Sequence, residues 1–102
     1  MRLKHTEIKQ YREQELKKQN GLCLLCREPI DPKEAVLDHC HKTGYIRGVL
    51  HRGCNCLLGK IENNLKRNRI DEIRLESILR NLSDYRFHFK DVLHPTFKIK
   101  KS

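Results

Sequence analysis

No stretch of the 102 residues is long and apolar enough to read as a membrane span. The first twenty residues are charged, with neither an apolar central run nor a small-residue cleavage site, so a secretory leader is not expected. Apolar residues are few. The hydrophobic class makes up 37% and charged residues 34%, polar for a folded chain but more patterned than a disordered one. So little apolar mass supports one modest domain with a limited core, in which a bound metal or a partner subunit would add stability. Internal repeats, low-complexity linkers and signs of a second domain are also missing, and the expectation is one domain over residues 1–102. Acidic residues are scarce beside basic ones, 13 against 22, leaving a formal net charge of +9. Lys and Arg are spread along the whole chain, which favours a phosphate backbone as partner over an anionic membrane surface.

The five cysteines are odd in number, which fits a cytosolic metal site better than extracellular disulfides. Cys23-x-x-Cys26 has the spacing of a zinc knuckle, in which a tight turn aims two thiolates at one ion. A redox Cys-x-x-Cys is the minor reading, because His51-x-x-Cys54 supplies a second ligand pair. Cys23, Cys26, His51 and Cys54 together make a tetrahedral set for structural Zn²⁺. Cys56 is the rival to His51, although Cys54-x-Cys56 is too closely spaced to repeat the first pair. Cys40 is a second rival, or a free thiol.

Between the two ligand pairs the order reads strand, turn, strand, helix. Ala35–His39 and Tyr45–Leu50 are the strands of a hairpin, joined through Lys42, Thr43 and Gly44. Gly48 weakens the second strand but permits a bulge or a close backbone approach. A helix over roughly 54–65 follows, with Leu57, Leu58, Ile61 and Leu65 on one face and Asn55 in its first turn. Flanking helices are expected over 6–19, with Thr6 as cap and Asn20-Gly21 as stop, and over 70–82, where Leu75, Ile78, Leu79 and Leu82 repeat at helical spacing. The apolar faces of the later helices suit either core or a homodimer interface. Tyr85, Phe87, Phe89, Leu93 and Phe97 make the C-terminal segment aromatic enough to wrap across the helices or a partner, and Lys98–Ser102 form a basic end.

The hairpin also assembles hard donors. Alternation puts Val36 and Asp38 on one face of the first strand and Leu37 and His39 on the other, unless a bulge re-aims one of them. Asp38 offers a carboxylate and Asn55 an amide oxygen, a set suited to Mg²⁺ or Mn²⁺ with water and phosphate completing the shell. His39 is placed to take a proton from an attacking water, since imidazole works near neutral pH. His41 can orient phosphate or assist proton transfer; a surface imidazole is its plain alternative. Taken singly, Asp38 reads as a turn cap and His39 as a packed polar side chain.

At these residues the chain resembles the phage recombination endonuclease VII family, within the His-Me-finger (HNH-like) nucleases. The likeness runs through Asn20-Gly21, Cys23-x-x-Cys26, Leu37-Asp38-His39-Cys40-His41, Ile46-Arg47-Gly48-Val49-Leu50 and Cys54-Asn55, with a later echo at Ser83-Asp84-Tyr85 and Leu93-His94-Pro95-Thr96-Phe97. The resemblance implies a ββα-metal site, with Asp38 and Asn55 on the catalytic ion, His39 as general base and His41 near the scissile phosphate. It matches the zinc cysteines at Cys23, Cys26 and Cys54 and reads His51 at the fourth position. Cys40 and Leu58 stand where the family's phage resolvase carries acidic residues. It further implies a homodimer acting on branched or mismatched DNA in the cytoplasm of a phage-infected bacterium.

The expectation is therefore an α+β, zinc-stabilised ββα-metal fold with flanking helices: a knuckle and ββα core over 21–65, then a helical and aromatic segment over 66–97. Its expected activity is metal-dependent hydrolysis of phosphodiester bonds in double-stranded or branched DNA, with two alternatives. One is a nonspecific or nicking endonuclease. The other is a noncatalytic zinc protein that binds DNA; a purely structural zinc protein would bind it weakly.

Overall fold

The computed structural model describes residues 1–98. Residues 99–102, most of the basic C-terminal end, lie outside the described residues. The chain divides into two compact units, Met1–Asn64 and a second that begins at Leu65.

The first unit carries the hairpin. A 3₁₀ turn over His5–Glu7 leads into α1, Ile8–Lys18. Thr6 does not cap this entry; the Lys4 backbone N–H donates to the Glu7 carboxylate at 2.8 Å instead. The stop at Asn20-Gly21 is as expected. Both residues have positive φ, 58° and 73°, and the Gly21 N–H returns to the Leu16 carbonyl at 2.9 Å. The knuckle follows, closed by Cys23 N–H to Glu28 O and Arg27 N–H to Cys23 O, each 2.9 Å. Leu22 is half-buried above it, whereas Leu24 and Leu25 are exposed.

A 3₁₀ turn over Pro32–Glu34, capped by Asp31, delivers the chain to β1, Ala35–His39. Its antiparallel partner β2 is Ile46–His51, one residue later than the sequence suggests. Tyr45 is withdrawn from the strand by the turn: its N–H donates to Thr43 Oγ1 at 3.3 Å and its carbonyl accepts from Cys40 N–H at 2.9 Å. The register runs Ala35↔His51, Val36↔Leu50, Leu37↔Val49, Asp38↔Gly48 and then His39↔Ile46. Arg47 therefore has no partner across the ladder and is the extra residue of a β-bulge.

α2 spans Arg52–Leu65 and starts directly from the end of β2, two residues before the expected start. Leu58 packs on the core, but Leu57 is exposed, contrary to its place in the expected apolar face. The core itself is small: Leu16, Cys23, Ile30, Ala35, Val49 and Leu50, with Leu37, Cys54 and Leu58 against it. Two of its members or neighbours, Cys23 and Cys54, are candidate metal ligands, so core and metal site are one structure.

In the second unit α3 spans Glu72–Arg86, displaced from the expected 70–82 because Asp71 caps it, its carboxylate accepting from Arg74 N–H at 2.8 Å. Ile73, Leu79, Leu82 and Tyr85 on this helix are exposed, as are Phe87, Phe89, Leu93 and Phe97 beyond it. The Arg86 guanidinium lies 5.3 Å from the Phe87 ring centroid. Among the described residues no helix is long and apolar enough to cross a membrane.

Candidate functional site

The knuckle turn, the last residue of β2 and the first turn of α2 converge on one point. There the ligand atoms of Cys23, Cys26, His51 and Cys54 all lie within 4.8 Å of one another. Cys26 Sγ is 3.2 Å from His51 Nδ1, and Cys54 Sγ is 3.9 Å from it. The other ring nitrogen, Nε2, lies 2.9 Å from the Pro29 carbonyl. Donation from Nε2–H to that oxygen leaves Nδ1 as the lone pair facing the thiols, the arrangement in which a backbone carbonyl orients a metal-binding histidine. Cys56 is exposed and outside the cluster, and Cys40 sits in the β1–β2 loop.

The electrostatics of Cys23 and Cys54 suit a cation. Burial and the neighbouring Cys26 and Cys23 thiols push the Cys54 thiol up to about 11. At Cys23 burial also opposes the thiolate, but chiefly the backbone hydrogen bonds at Cys26, His51 and Leu25 outweigh it and bring the thiol to about 6. One thiolate forms readily, and the next is opposed by its negative neighbours. A divalent soft-acid ion relieves that opposition, and three sulfurs with one imidazole nitrogen form a donor set proper to zinc. The four residues are a Cys3His metal-binding cluster.

Asp38 and His39 lie toward the other end of the hairpin. Asp38 is buried, with 5% of its surface exposed, while the next residue, His39, is exposed. The bulge sits between them in the ladder. His39 shares with Leu37 the wall of a cavity of about 850 Å³, alongside Arg2, Tyr11, Thr43 and Tyr45. His41 stacks on His39, ring centroids 5.0 Å apart and planes at 27°. Asn55 lies half-buried in the first turn of α2, next to Cys54.

Asp38 is held by Arg47. Nε donates to Oδ2 at 2.7 Å and Nη2 to Oδ1 at 3.2 Å. Arg47 also reaches Glu62 on α2, whose carboxyl its hydrogen bonds hold below the ordinary glutamate range. A carboxylate has about four lone-pair directions, so each Asp38 oxygen keeps one free for a further donor or a cation. The Asp38 carboxylate is therefore a hard donor of the kind a divalent ion takes. Sequence reasoning missed Glu62 and gave Arg47 no role. A signal existed: Glu62 is seven residues after Asn55, two turns along the same side of α2.

A small hairpin flanked by helices and tied to a Cys3His cluster defines an HNH-like metal-binding module. Residues 1–85 match the family model of recombination endonuclease VII, and the chain belongs to that family. It is accordingly a metal-dependent nuclease, an enzyme that binds DNA.

Proposed function

We propose that the protein is an endonuclease that hydrolyses phosphodiester bonds of branched or mismatched DNA, with His39 as general base and Asp38 and Asn55 as ligands of a catalytic Mg²⁺ or Mn²⁺. The observation that carries this reading is the divergence of two consecutive residues at the bulge. Asp38 is buried with its carboxylate held in one orientation by Arg47, whereas His39 is exposed in an open cavity where a DNA strand can reach it. The Cys3His cluster serves as a structural zinc site that fastens the knuckle to the start of α2.

When bound, the divalent ion neutralises charge on the phosphate and the departing oxygen. His39 accepts a proton from water as the water oxygen attacks phosphorus; the P–O bond to the leaving oxygen breaks, and that oxygen is reprotonated from solvent. His41 supports the imidazole face of His39 and donates to the phosphate. Arg2, and the +9 charge of the chain as a whole, favour the phosphate backbone. The protein acts as a homodimer: the exposed apolar row Ile78, Leu79 and Leu82 on α3 is the surface a second copy would cover.

Zinc-loaded protein incubated with matched duplex, mismatched duplex and a four-way junction, with Mg²⁺, Mn²⁺ or chelator, tests the reading. Cutting should need the divalent ion, favour the junction or mismatch, and fall by about 10²–10⁴-fold in His39→Ala with DNA binding retained. Equal cutting of all three substrates would make it a general nuclease. Unchanged cutting by His39→Ala would remove His39 from the chemistry.

A further inference from the structure

The charge of Asp38 is not answered by one isolated ion pair. Arg47 meets Asp38 through Nε and Nη2, and meets Glu62 through Nη1 to Oε2 at 2.9 Å and Nη2 to Oε1 at 3.0 Å. Four of the N–H groups of the guanidinium are thus engaged, and Nη2 is shared between the two carboxylates. One cation joins β1, β2 and α2.

The bulge makes this possible. Gly48 is the residue opposite Asp38, so in an unbroken ladder Arg47 would point to the other face, with His39. As the unpaired residue of the bulge, Arg47 turns to the side of Asp38. A guanidinium is a stiff planar fork, so whatever fixes its plane also fixes the plane of a carboxylate paired with two of its nitrogens. On the other side that plane is fixed by Glu62, anchored in α2, the helix that also carries Asn55.

We propose that Arg47 and Glu62 are positioning residues of the nuclease site: Glu62 holds the Arg47 fork, and the fork sets the orientation of the Asp38 carboxylate toward the divalent ion. This rests on the reading of Asp38 as a metal ligand. Neither residue touches the reacting atoms. A clip that merely stabilised the fold would leave metal affinity unchanged once the protein is folded.

The test uses zinc-loaded full-length protein as wild type, Glu62→Gln, Arg47→Lys, the double variant, and Glu15→Gln, whose carboxylate pairs with Lys18 on α1. Zinc content and circular dichroism establish folding. Mn²⁺ binding without DNA is followed by electron paramagnetic resonance of the free ion, and cleavage is measured against Mn²⁺ concentration. Glu62→Gln should weaken Mn²⁺ binding about 10-fold, the size of effect seen when the outer partner of a metal ligand is lost, and should raise the half-saturating Mn²⁺ equally while kcat at saturation changes little. Arg47→Lys should act in the same direction, because an ammonium cannot bridge both carboxylates as the fork does. The double variant should be no worse than Arg47→Lys alone, since both act through one group. Glu15→Gln should match wild type.

Wild-type Mn²⁺ affinity in folded Glu62→Gln overturns the proposal and leaves the nuclease reading standing, and so does tighter binding in either single variant, which would make the fork a competitor of the ion. Wild-type protein that neither binds Mn²⁺ nor cuts DNA overturns both. If Arg47→Lys fails to fold, Glu62→Gln alone decides.

Discussion

The side-chain amide of Gln19 pairs with the backbone of Val49 as a neighbouring strand would. Its Nε2 donates to the Val49 carbonyl at 2.9 Å, and its Oε1 accepts from the Val49 N–H at 2.8 Å. Nε2 also reaches the Leu22 carbonyl at 2.9 Å. Val49 is fully buried, so in a two-stranded sheet its outward peptide groups have no third strand to meet. Gln19, just past the end of α1, supplies both partners and ties that helix to the hairpin.

Gln19→Leu keeps the bulk and removes the pairing. It should destabilise the protein by about 2 kcal/mol, the cost of leaving buried peptide groups unsatisfied. Urea unfolding of zinc-loaded protein measures it, as a lower midpoint at unchanged slope. A wild-type midpoint would mean that water takes the place of the amide.

Gly48→Ala should also destabilise. A Cβ there would run into Leu24 Cδ1 and stand 3.3 Å from Gln19 Oε1. The exposed tip of Leu24 can partly swing aside, but Gly48 also has φ 159°, an angle that residues with a Cβ rarely adopt, and together these cost about 1–3 kcal/mol. The same substitution in a Leu24→Ala background should cost less, because the obstructing methyl is gone. Equal costs in the two backgrounds would point to the backbone rather than to Leu24.

Cys23→Ser should lose stoichiometric zinc and melt at a lower temperature, because Cys23 is both ligand and core. Cys56→Ser and Cys40→Ser should retain zinc and melt as wild type does. Elemental analysis with thermal unfolding distinguishes them. Zinc retained in Cys23→Ser, or lost in Cys56→Ser, would redraw the ligand set.

Hydrogen bonds from Arg47 hold the Glu62 carboxyl below its ordinary range. A carboxylate whose folded pKa is depressed adds stability above its unfolded value and loses it as pH falls through the folded one. The stability gap between wild type and Glu62→Gln should therefore be present at neutral pH and close as pH drops below about 4.3, the reference value for glutamate. The Arg47 and Glu62 side chains are 34% and 36% exposed, so the gap should be modest and shrink in high salt. A gap independent of pH would assign the effect to packing.

Much of this was legible because it is local. The alternation in Ala35–His39 marks a strand whatever surrounds it. The spacing of Leu58, Ile61 and Leu65 marks one side of a helix, and Cys23-x-x-Cys26 marks a turn that can aim two thiols at one ion. The paired spacing of His51-x-x-Cys54 also let the full cluster be written down, since two short ligand pairs need only one meeting of two chain segments. Leu57 was misjudged for the opposite reason. Helical spacing says which residues share a side, and only the docking of α2 on the hairpin says how wide the buried stripe is.

By itself the sequence determined the order of elements, the basic character, the four soft ligands, and the adjacency of an acid and an imidazole at the end of a strand. Tertiary structure alone decided that Arg47 is the bulged residue, that Asp38 is buried while His39 faces solvent, that Glu62 closes on Arg47 and that Gln19 serves as a surrogate strand. The physical reason is separation along the chain. Gln19 and Val49 are 30 residues apart and Arg47 and Glu62 are 15, beyond any helical or strand period. A shift of one residue in the register of β2 would send its side chains to the opposite face, away from these partners.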